Sequence, residues 1–212
     1  MSSKKVVDLV NTWANFEAKY PNASIEQFCH WVIASKEQHS HAEAEYSRGY
    51  GNDGYAAQLL SRLSRYAQIY SKDILGVHGI ESVYEWGFMM HVLELRNPKK
   101  SELIEKQLTG FTSGIGIINR LIKRKLLTEI TDETDKRSKR LSLTKDGFAM
   151  LQSTLPDMDR LSKIIFMPLN ETEKNMLLSI LQKLDTVHQN AFQHTEPHTV
   201  EGLNERISKL SN

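Results

Sequence analysis

The chain has 212 residues, 40% of them hydrophobic, and its formal net charge is +1. This composition allows a buried core, which excludes wholesale disorder, and the length suits one large domain or one domain with extensions. No run approaches the ~18 consecutive apolar residues of a membrane span and the start lacks a secretory signal, so we expect a soluble, cytoplasmic protein without a membrane partner.

Residues 1–50 are predicted to form an N-terminal helical extension. Two amphipathic helices are expected, and Ser24 with Gln27 forms a capping-box pattern at the start of the second. The single cysteine, Cys29, excludes an intrachain disulfide. We expect it to fill the apolar face of the second helix, with a redox-sensing thiol as the alternative. The glycine-rich stretch 47–54 is a predicted loop that leads to the main body.

The main body begins and ends with long predicted helices. In residues 51–80, apolar residues recur at helical spacing from Ala56 onward, and Gly76 and Gly79 are expected to end that helix. Residues 148–192 carry a second apolar pattern with a break near Pro168. The remaining residues, 193–212, are interpreted as a polar C-terminal tail.

Residues 81–147 combine helices with the one convincing β pattern of the sequence. The predicted elements are a helix over 81–95, a short helix over 101–108, a turn at 109–111, a helix over 112–125, and strands over 126–131 and 140–144. The polar segment between the two strands predicts a β-hairpin. The order of helix, short helix, turn, helix and hairpin is that of a winged helix-turn-helix.

The charge is concentrated in the same region. Residues 98–145 contain twelve basic and six acidic residues, a net charge of +6, whereas the rest of the chain carries −5. A basic segment in an otherwise acidic protein is typical of a site for a polyanion. A helix fits the major groove of B-DNA, and a thin basic hairpin can enter the neighbouring minor groove. We therefore expect double-stranded DNA as the partner.

The candidate DNA-contacting residues lie on two elements. On the predicted recognition helix they are Thr112, Ser113, Gly114, Gly116, Asn119, Arg120, Lys123 and Arg124. On the hairpin they are Asp135, Lys136, Arg137, Ser138, Lys139 and Arg140. Arg137 is placed at the middle of the loop, where a side chain can reach the minor groove, and its basic neighbours are predicted to contact phosphates.

The hairpin pattern Asp135-x-Arg137-x-x-x-Leu141-x-Leu143-Thr144-x-x-Gly147 resembles the wing motif of the MarR family of bacterial regulators. The resemblance covers roughly residues 55–192. It implies a mainly α-helical fold with a small β-hairpin wing, in which residues 51–80 and 148–192 are dimerisation helices around the winged helix-turn-helix of 81–147. It also implies a homodimer on a palindromic site, and many relatives are repressors released by a small anionic or phenolic ligand.

The sequence departs from the family pattern at two positions near the wing. The family usually has glycine at the end of the recognition helix, where this chain has Lys125. It often has arginine before the first turn of the wing, where this chain has Glu129. That arginine commonly pairs with the motif aspartate, which is Asp135 here.

Several further features have two readings. Tyr66, Trp86, Met90 and His91 are candidates for a ligand pocket, although such a stripe is more often core. His39, His41, Glu43 and Glu45 lack a well-spaced third ligand, so no metal or cofactor is expected. We found no catalytic motif, and therefore predict a transcriptional regulator rather than an enzyme. The alternative is a winged helix that serves as a protein-interaction module.

Overall fold

The structure is a computed structural model that describes residues 2–37, 51–132, 135–136, 138–192 and 199–210. Within these ranges the elements in chain order are α1 (Ser2–Lys19), α2 (Ile25–Glu37), α3 (Asn52–Val77), α4 (Val83–Glu94), α5 (Lys100–Lys106), α6 (Phe111–Lys123), β1 (Leu127–Thr131), β2 (Lys139–Leu143), α7 (Lys145–Ile165), α8 (Glu171–Ala191) and α9 (Val200–Leu210). The chain divides into two compact units, Met1–Leu60 and Ser61–Asn212. No helix in the described ranges has the length and apolar character needed to cross a membrane.

The first unit is organised around aromatic rings on α1 and α2. Phe16 and Phe28 are buried, and Trp13 meets Phe28 edge-on with 4.8 Å between ring centroids. The ring centroids of Trp31 and Phe16 lie 5.3 Å apart. Tilted and edge-on ring pairs of this kind add to the gain from burying apolar area, so this cluster holds the two helices together.

The start of α2 confirms one expectation, while Cys29 contradicts another. The backbone N–H of Ser24 donates to Gln27 Oε1 at 2.7 Å, and the N–H of Gln27 donates to Ser24 Oγ at 3.3 Å, which completes the predicted capping box. Cys29 is exposed rather than buried. One residue along a helix turns the side chain by about 100°, so Cys29 faces away from the ring cluster that buries Phe28.

The core of the second unit lies where α4, α5, α6 and the hairpin meet the end of α3 and the start of α7. Its fully buried side chains are Leu75, Ile80, Phe88, Met89, Leu103, Ile118, Leu121, Leu127, Leu141 and Leu151. The predicted winged helix-turn-helix is therefore one packed body. Its fold is mainly helical with a small hairpin, as the sequence predicted.

The two strands of the hairpin pair in antiparallel fashion, with Leu127 opposite Leu143 and Thr131 opposite Lys139. Both strands lie within one residue of their predicted limits. The backbone N–H of Leu141 also donates to the carbonyl of Pro98 at 2.8 Å. The segment before α5 thus extends the hairpin on one side and fixes it to the helices.

Of the two glycines expected to end α3, Gly79 does so, whereas Gly76 lies within the last turn of the helix. The helix stops at Val77, and Gly79 has φ +78°, a left-handed conformation that favours glycine. The N–H of Ile80 donates to the carbonyl of Leu75 at 3.0 Å, which closes the helix end.

The polar C-terminal segment contains a helix that the sequence analysis did not predict. The helix α9 contacts α8, and Lys209 pairs with Glu205 four residues earlier at 2.7 Å. Leu203, Ile207 and Leu210 recur at helical spacing, but the stretch is short and rich in charge. Contact with another helix stabilises such a segment where its own pattern is weak.

Candidate nucleic-acid interface

The helix α6 has one buried face and one polar face. Ile118 and Leu121 are buried in the core. Thr112, Asn119 and Lys123 are exposed, and their spacing of seven and four residues places them on one side of the helix. The sequence-predicted recognition helix therefore presents polar side chains on the face that the core leaves free.

Gly114 does not belong to that polar face. It is buried, and a Cβ atom at this position would lie 2.6 Å from Ile104 Cγ1. The glycine is needed because α6 packs closely on α5 at this point. Gly114 therefore faces α5 and the core rather than the polar face of α6, and its predicted contact with DNA stays a prediction.

Gly116 differs from Gly114, because a Cβ atom added there would meet no atom within 4 Å. We expect Gly116→Ala to stabilise the protein by about 1 kcal/mol, since alanine is the better helix former. The added methyl group would lie on the polar face, so we expect duplex DNA to bind more weakly. Thermal unfolding and a fluorescence-anisotropy titration test both effects. Unchanged DNA affinity would contradict the prediction that Gly116 contacts DNA.

The two predicted arginines near the end of α6 pair with a carboxylate of α4 that the sequence analysis had not singled out. Arg124 Nη1 lies 2.8 Å from Glu85 Oε2, and Arg120 Nε lies 3.4 Å from Glu85 Oε1. Glu85 is fully buried, whereas the side chain of Arg120 is 52% exposed. In the sequence, the spacing Ser82-x-x-Glu85 indicates only a helix cap. The pairing of Glu85 with the two arginines is not visible there, because they lie 35 and 39 residues further along the chain.

The hairpin is fixed by a second buried carboxylate that was not predicted, Asp132. Arg140 Nε donates to Asp132 Oδ2 at 2.7 Å, and Arg140 Nη1 donates to the carbonyl of Asn97 at 3.1 Å. In the free chain Arg140 therefore ties the loop end of the hairpin to the segment before α5. To contact a phosphate as predicted, Arg140 would have to share its guanidinium group between the phosphate and these two acceptors.

The remaining predicted wing residues differ in how far the structure describes them. Asp135, Lys136 and Lys139 are exposed, and Ser138 is half-buried with its N–H donating to the carbonyl of Asp135 at 2.8 Å. Lys139 Nζ donates to Thr131 Oγ1 at 3.4 Å across the hairpin. Arg137 lies outside the described residues.

The last part of the wing motif joins the hairpin to α7. Thr144 Oγ1 accepts a hydrogen bond from the N–H of Gly147 at 2.9 Å and donates to the carbonyl of Lys125 at 2.7 Å. A Cβ atom at Gly147 would lie 2.0 Å from the backbone oxygen of Leu126. Threonine and glycine at these two positions are thus explained by packing and capping.

The two departures from the family pattern have structural counterparts. Lys125 has φ +58°, the left-handed conformation for which glycine is favoured. Glu129 pairs with Lys100, with 2.5 Å between Oε1 and Nζ. The chain therefore keeps the sharp turn after α6 without glycine, and a lysine of α5 neutralises the acid at the wing.

The four residues of the predicted ligand pocket lie in different surroundings. Tyr66 lines a cavity of about 340 Å³ with Leu63, Tyr70 and Ile164. A second cavity, of about 530 Å³, lies between α4, β2 and α7. Neither cavity is lined by Trp86, Met90 or His91. Trp86 Nε1 donates to the buried Thr154 Oγ1 at 2.9 Å, which fits a residue of the core.

His91 is half-buried near the end of α4, with Nδ1 3.0 Å from Glu94 Oε2. This hydrogen bond, followed by the charge of Lys106, lowers the pKa of the Glu94 carboxyl. In the described ranges no group of three or more His, Cys, Asp or Glu side chains is arranged to hold a metal ion. His39, His41, Glu43 and Glu45 lie outside the described residues.

Residues 85–147 match the family model of the winged helix DNA-binding domain. The match runs from the buried Glu85 to Gly147 of the wing motif, so it covers α4 to the first turn of α7. Residues 85–147 therefore form a winged helix DNA-binding domain, as predicted from the order of the elements.

Solved structures of regulators share this fold. A probable transcriptional regulator from Pseudomonas aeruginosa superposes with a TM-score of 0.57 at 21% identity, over 62% of this chain and 98% of that one. A cysteine-to-serine mutant of MarR from E. coli, complexed with operator DNA, gives 0.56 at 16% identity over 60% and 91% of the two chains.

A third similar structure is BpsR from Bordetella bronchiseptica, whose DNA binding is regulated by 6-hydroxynicotinic acid. It gives a TM-score of 0.54 at 20% identity over 62% of this chain and 98% of BpsR. No curated protein matches the sequence. The chain thus has the winged helix fold of MarR-family regulators, and the predicted resemblance is confirmed for the fold.

Proposed function

We propose that this chain is a sequence-specific, double-stranded DNA-binding transcriptional regulator that acts in the cytoplasm as a homodimeric repressor. The observation that carries the proposal is the winged helix DNA-binding domain of residues 85–147, whose helix α6 exposes Thr112, Asn119 and Lys123 on one face. In this proposal α6 enters the major groove, and residues 132–140 contact the minor groove and the backbone. Binding would block a promoter.

Free lysines support a polyanion as the partner. The ammonium groups of Lys123, Lys125 and Lys136 make no hydrogen bond or ion pair with the described part of the chain. Their ammonium groups remain available to phosphates, whereas the guanidinium groups of Arg124 and Arg140 already have internal carboxylates. We therefore assign the first phosphate contacts to the lysines.

Exposed apolar side chains support a homodimer. Within the second unit, Leu63 and Ile69 of α3 are 59% and 54% exposed, and Leu178 and Leu184 of α8 are 54% and 44% exposed. Large apolar surfaces of this kind are typical of protein interfaces. A second copy of the chain would cover them and would place the two reading helices about 34 Å apart, one turn of DNA.

A small-molecule effector is the finer part of the proposal. The cavity beside Tyr66 lies between α3 and the end of α7. Its other lining residues are Leu63, Ala67, Tyr70, Ile164 and Ile165. An aromatic ligand seated there would change the packing of helices that we assign to the dimer, and could shift the population of DNA-binding dimers.

The salt dependence of binding to duplex DNA tests the proposed function. Each phosphate neutralised by the protein contributes about −0.9 to the slope of log K against log salt, so several contacts give a steep fall in affinity. Selection of bound sequences from random DNA should then yield a palindrome. If the protein binds no duplex at low salt, the alternative of a protein-interaction module is favoured.

Arg137→Ala should weaken DNA binding by roughly 1–3 kcal/mol without unfolding the protein, because the sequence places this side chain at the middle of the wing loop. Fluorescence anisotropy with a selected duplex measures the change. Arg160→Ala is the matched control, since Arg160 is exposed on α7, outside the winged helix domain. Equal affinity of the Arg137 variant and the wild type would show that the wing assignment is wrong.

A further inference from the structure

Glu85 is a charged side chain in the interior of the winged helix domain. Glu85 lies in the first turn of α4 and is fully buried. The carboxylate accepts from Arg124 at 2.8 Å, from Arg120 at 3.4 Å and from the backbone N–H of Glu81 at 3.2 Å. A buried charge is costly unless it is fully paired, so these contacts hold the carboxylate in one place.

The partners of Glu85 belong to two separate parts of the domain. Arg120 and Arg124 lie at the C-terminal end of α6, whereas Glu81 lies in the connection between α3 and α4. Arg124 Nη2 also donates to the carbonyl of Gly79 in the same connection. Glu85 and Arg124 together therefore attach the end of α6 to the segment that follows α3.

Besides the burial of Ile118 and Leu121 in the core, α6 has a further attachment near its N-terminal end. There Gly114 packs against Ile104 of α5, in a contact that leaves no room for a Cβ atom. A helix of 13 residues is about 20 Å long. If it pivoted by about 10° at one attachment, its far end would move by about 3 Å, which is the length of a hydrogen bond.

We propose that Glu85 is a positioning residue that fixes the tilt of α6, and through it the sequence specificity of DNA binding, without contacting DNA. The inference rests on the proposed function for the effect on DNA. Base contacts require the reading side chains to be held within a fraction of an ångström, whereas contacts to the phosphate backbone tolerate small shifts. Loss of the carboxylate therefore acts on specificity more than on total affinity.

The test uses Glu85→Gln in the full-length chain, with Glu94→Gln as the matched control. Glu94 lies on the same helix and undergoes the same chemical change, but its side chain is 56% exposed. Two duplexes are compared, one selected from random DNA with the wild type and one scrambled duplex of equal length. Hydrogen exchange of the backbone amides at residues 117–126 is measured in the free protein.

For Glu85→Gln we expect the affinity for the selected duplex, divided by that for the scrambled duplex, to fall at least tenfold. The affinity for the scrambled duplex should stay within about twofold of the wild-type value. Exchange at residues 117–126 should rise. The control should match the wild type in both measurements. An equal fall for both duplexes would indicate a purely structural role, and an unchanged ratio would also overturn the proposal.

A second variant covers the case in which Glu85→Gln does not fold. Arg124→Lys keeps the positive charge but cannot bond Glu85 and Gly79 together in the same way. It should give a smaller loss of specificity and a smaller rise in exchange. A wild-type chain that binds no duplex would contradict the proposed function, whereas the exchange measurement would still decide whether Glu85 holds α6.

Discussion

Replacing Gly147 with alanine is expected to lower the free energy of unfolding by about 3 kcal/mol. The new Cβ atom would lie 2.0 Å from the backbone oxygen of Leu126, and no flexible side chain can move to relieve the clash. The N–H of Thr144 donates to that same oxygen at 3.1 Å, which holds the start of α7 against the hairpin. The substitution must therefore separate two backbone segments that are bonded to each other.

Urea denaturation followed by circular dichroism measures this effect. Gly116→Ala is the appropriate comparison, because it makes the same chemical change where the added methyl group meets no atom within 4 Å. The two variants should shift the unfolding midpoint in opposite directions. A Gly147→Ala protein within about 0.5 kcal/mol of the wild type would contradict the close contact between α7 and Leu126.

A charge at Leu184 is expected to convert the proposed dimer into monomers. Leu184 lies on α8 and is 44% exposed in the single chain, so in the dimer Leu184→Glu would bury a carboxylate without a partner. A monomer engages one half-site only. Loss of the second, linked contact should weaken binding to a palindromic duplex by about 100-fold or more.

Light scattering and duplex titrations test this expectation together. Gln182→Glu is the control, since two residues along a helix place Gln182 almost opposite Leu184. That variant should remain dimeric and bind DNA as the wild type does. A Leu184→Glu protein that stays dimeric would exclude this face of α8 from the interface.

Much of the local structure was predictable, because the residues that decide it are neighbours in the chain. The predicted capping box of Ser24 and Gln27 forms at the start of α2, with the N–H of Gln27 donating to Ser24 Oγ at 3.3 Å. The alternation Leu141-x-Leu143 likewise identified β2, since side chains of a strand point to opposite faces in turn. The fold class followed from the order of such elements.

Individual side chains of the interface were less predictable. Gly114 and Gly116 look alike in the sequence, yet one is buried against Ile104 and the other has open space beside it. Arg140 was expected at phosphates, but in the free chain it bonds the buried Asp132 at 2.7 Å. Exposure and pairing depend on residues that are distant in the chain.

The winged helix domain separates what the sequence determined from what only the tertiary structure decided. Residue spacing alone determined the order of helices, the hairpin and the helix caps, because hydrogen bonds and side-chain periodicity within an element act over three or four residues. Only the tertiary structure decided that Glu85 and Asp132 are the buried partners of the arginines on α6 and β2. Those pairs form between different elements, since a buried carboxylate is stable only where the packed fold brings a guanidinium group to it.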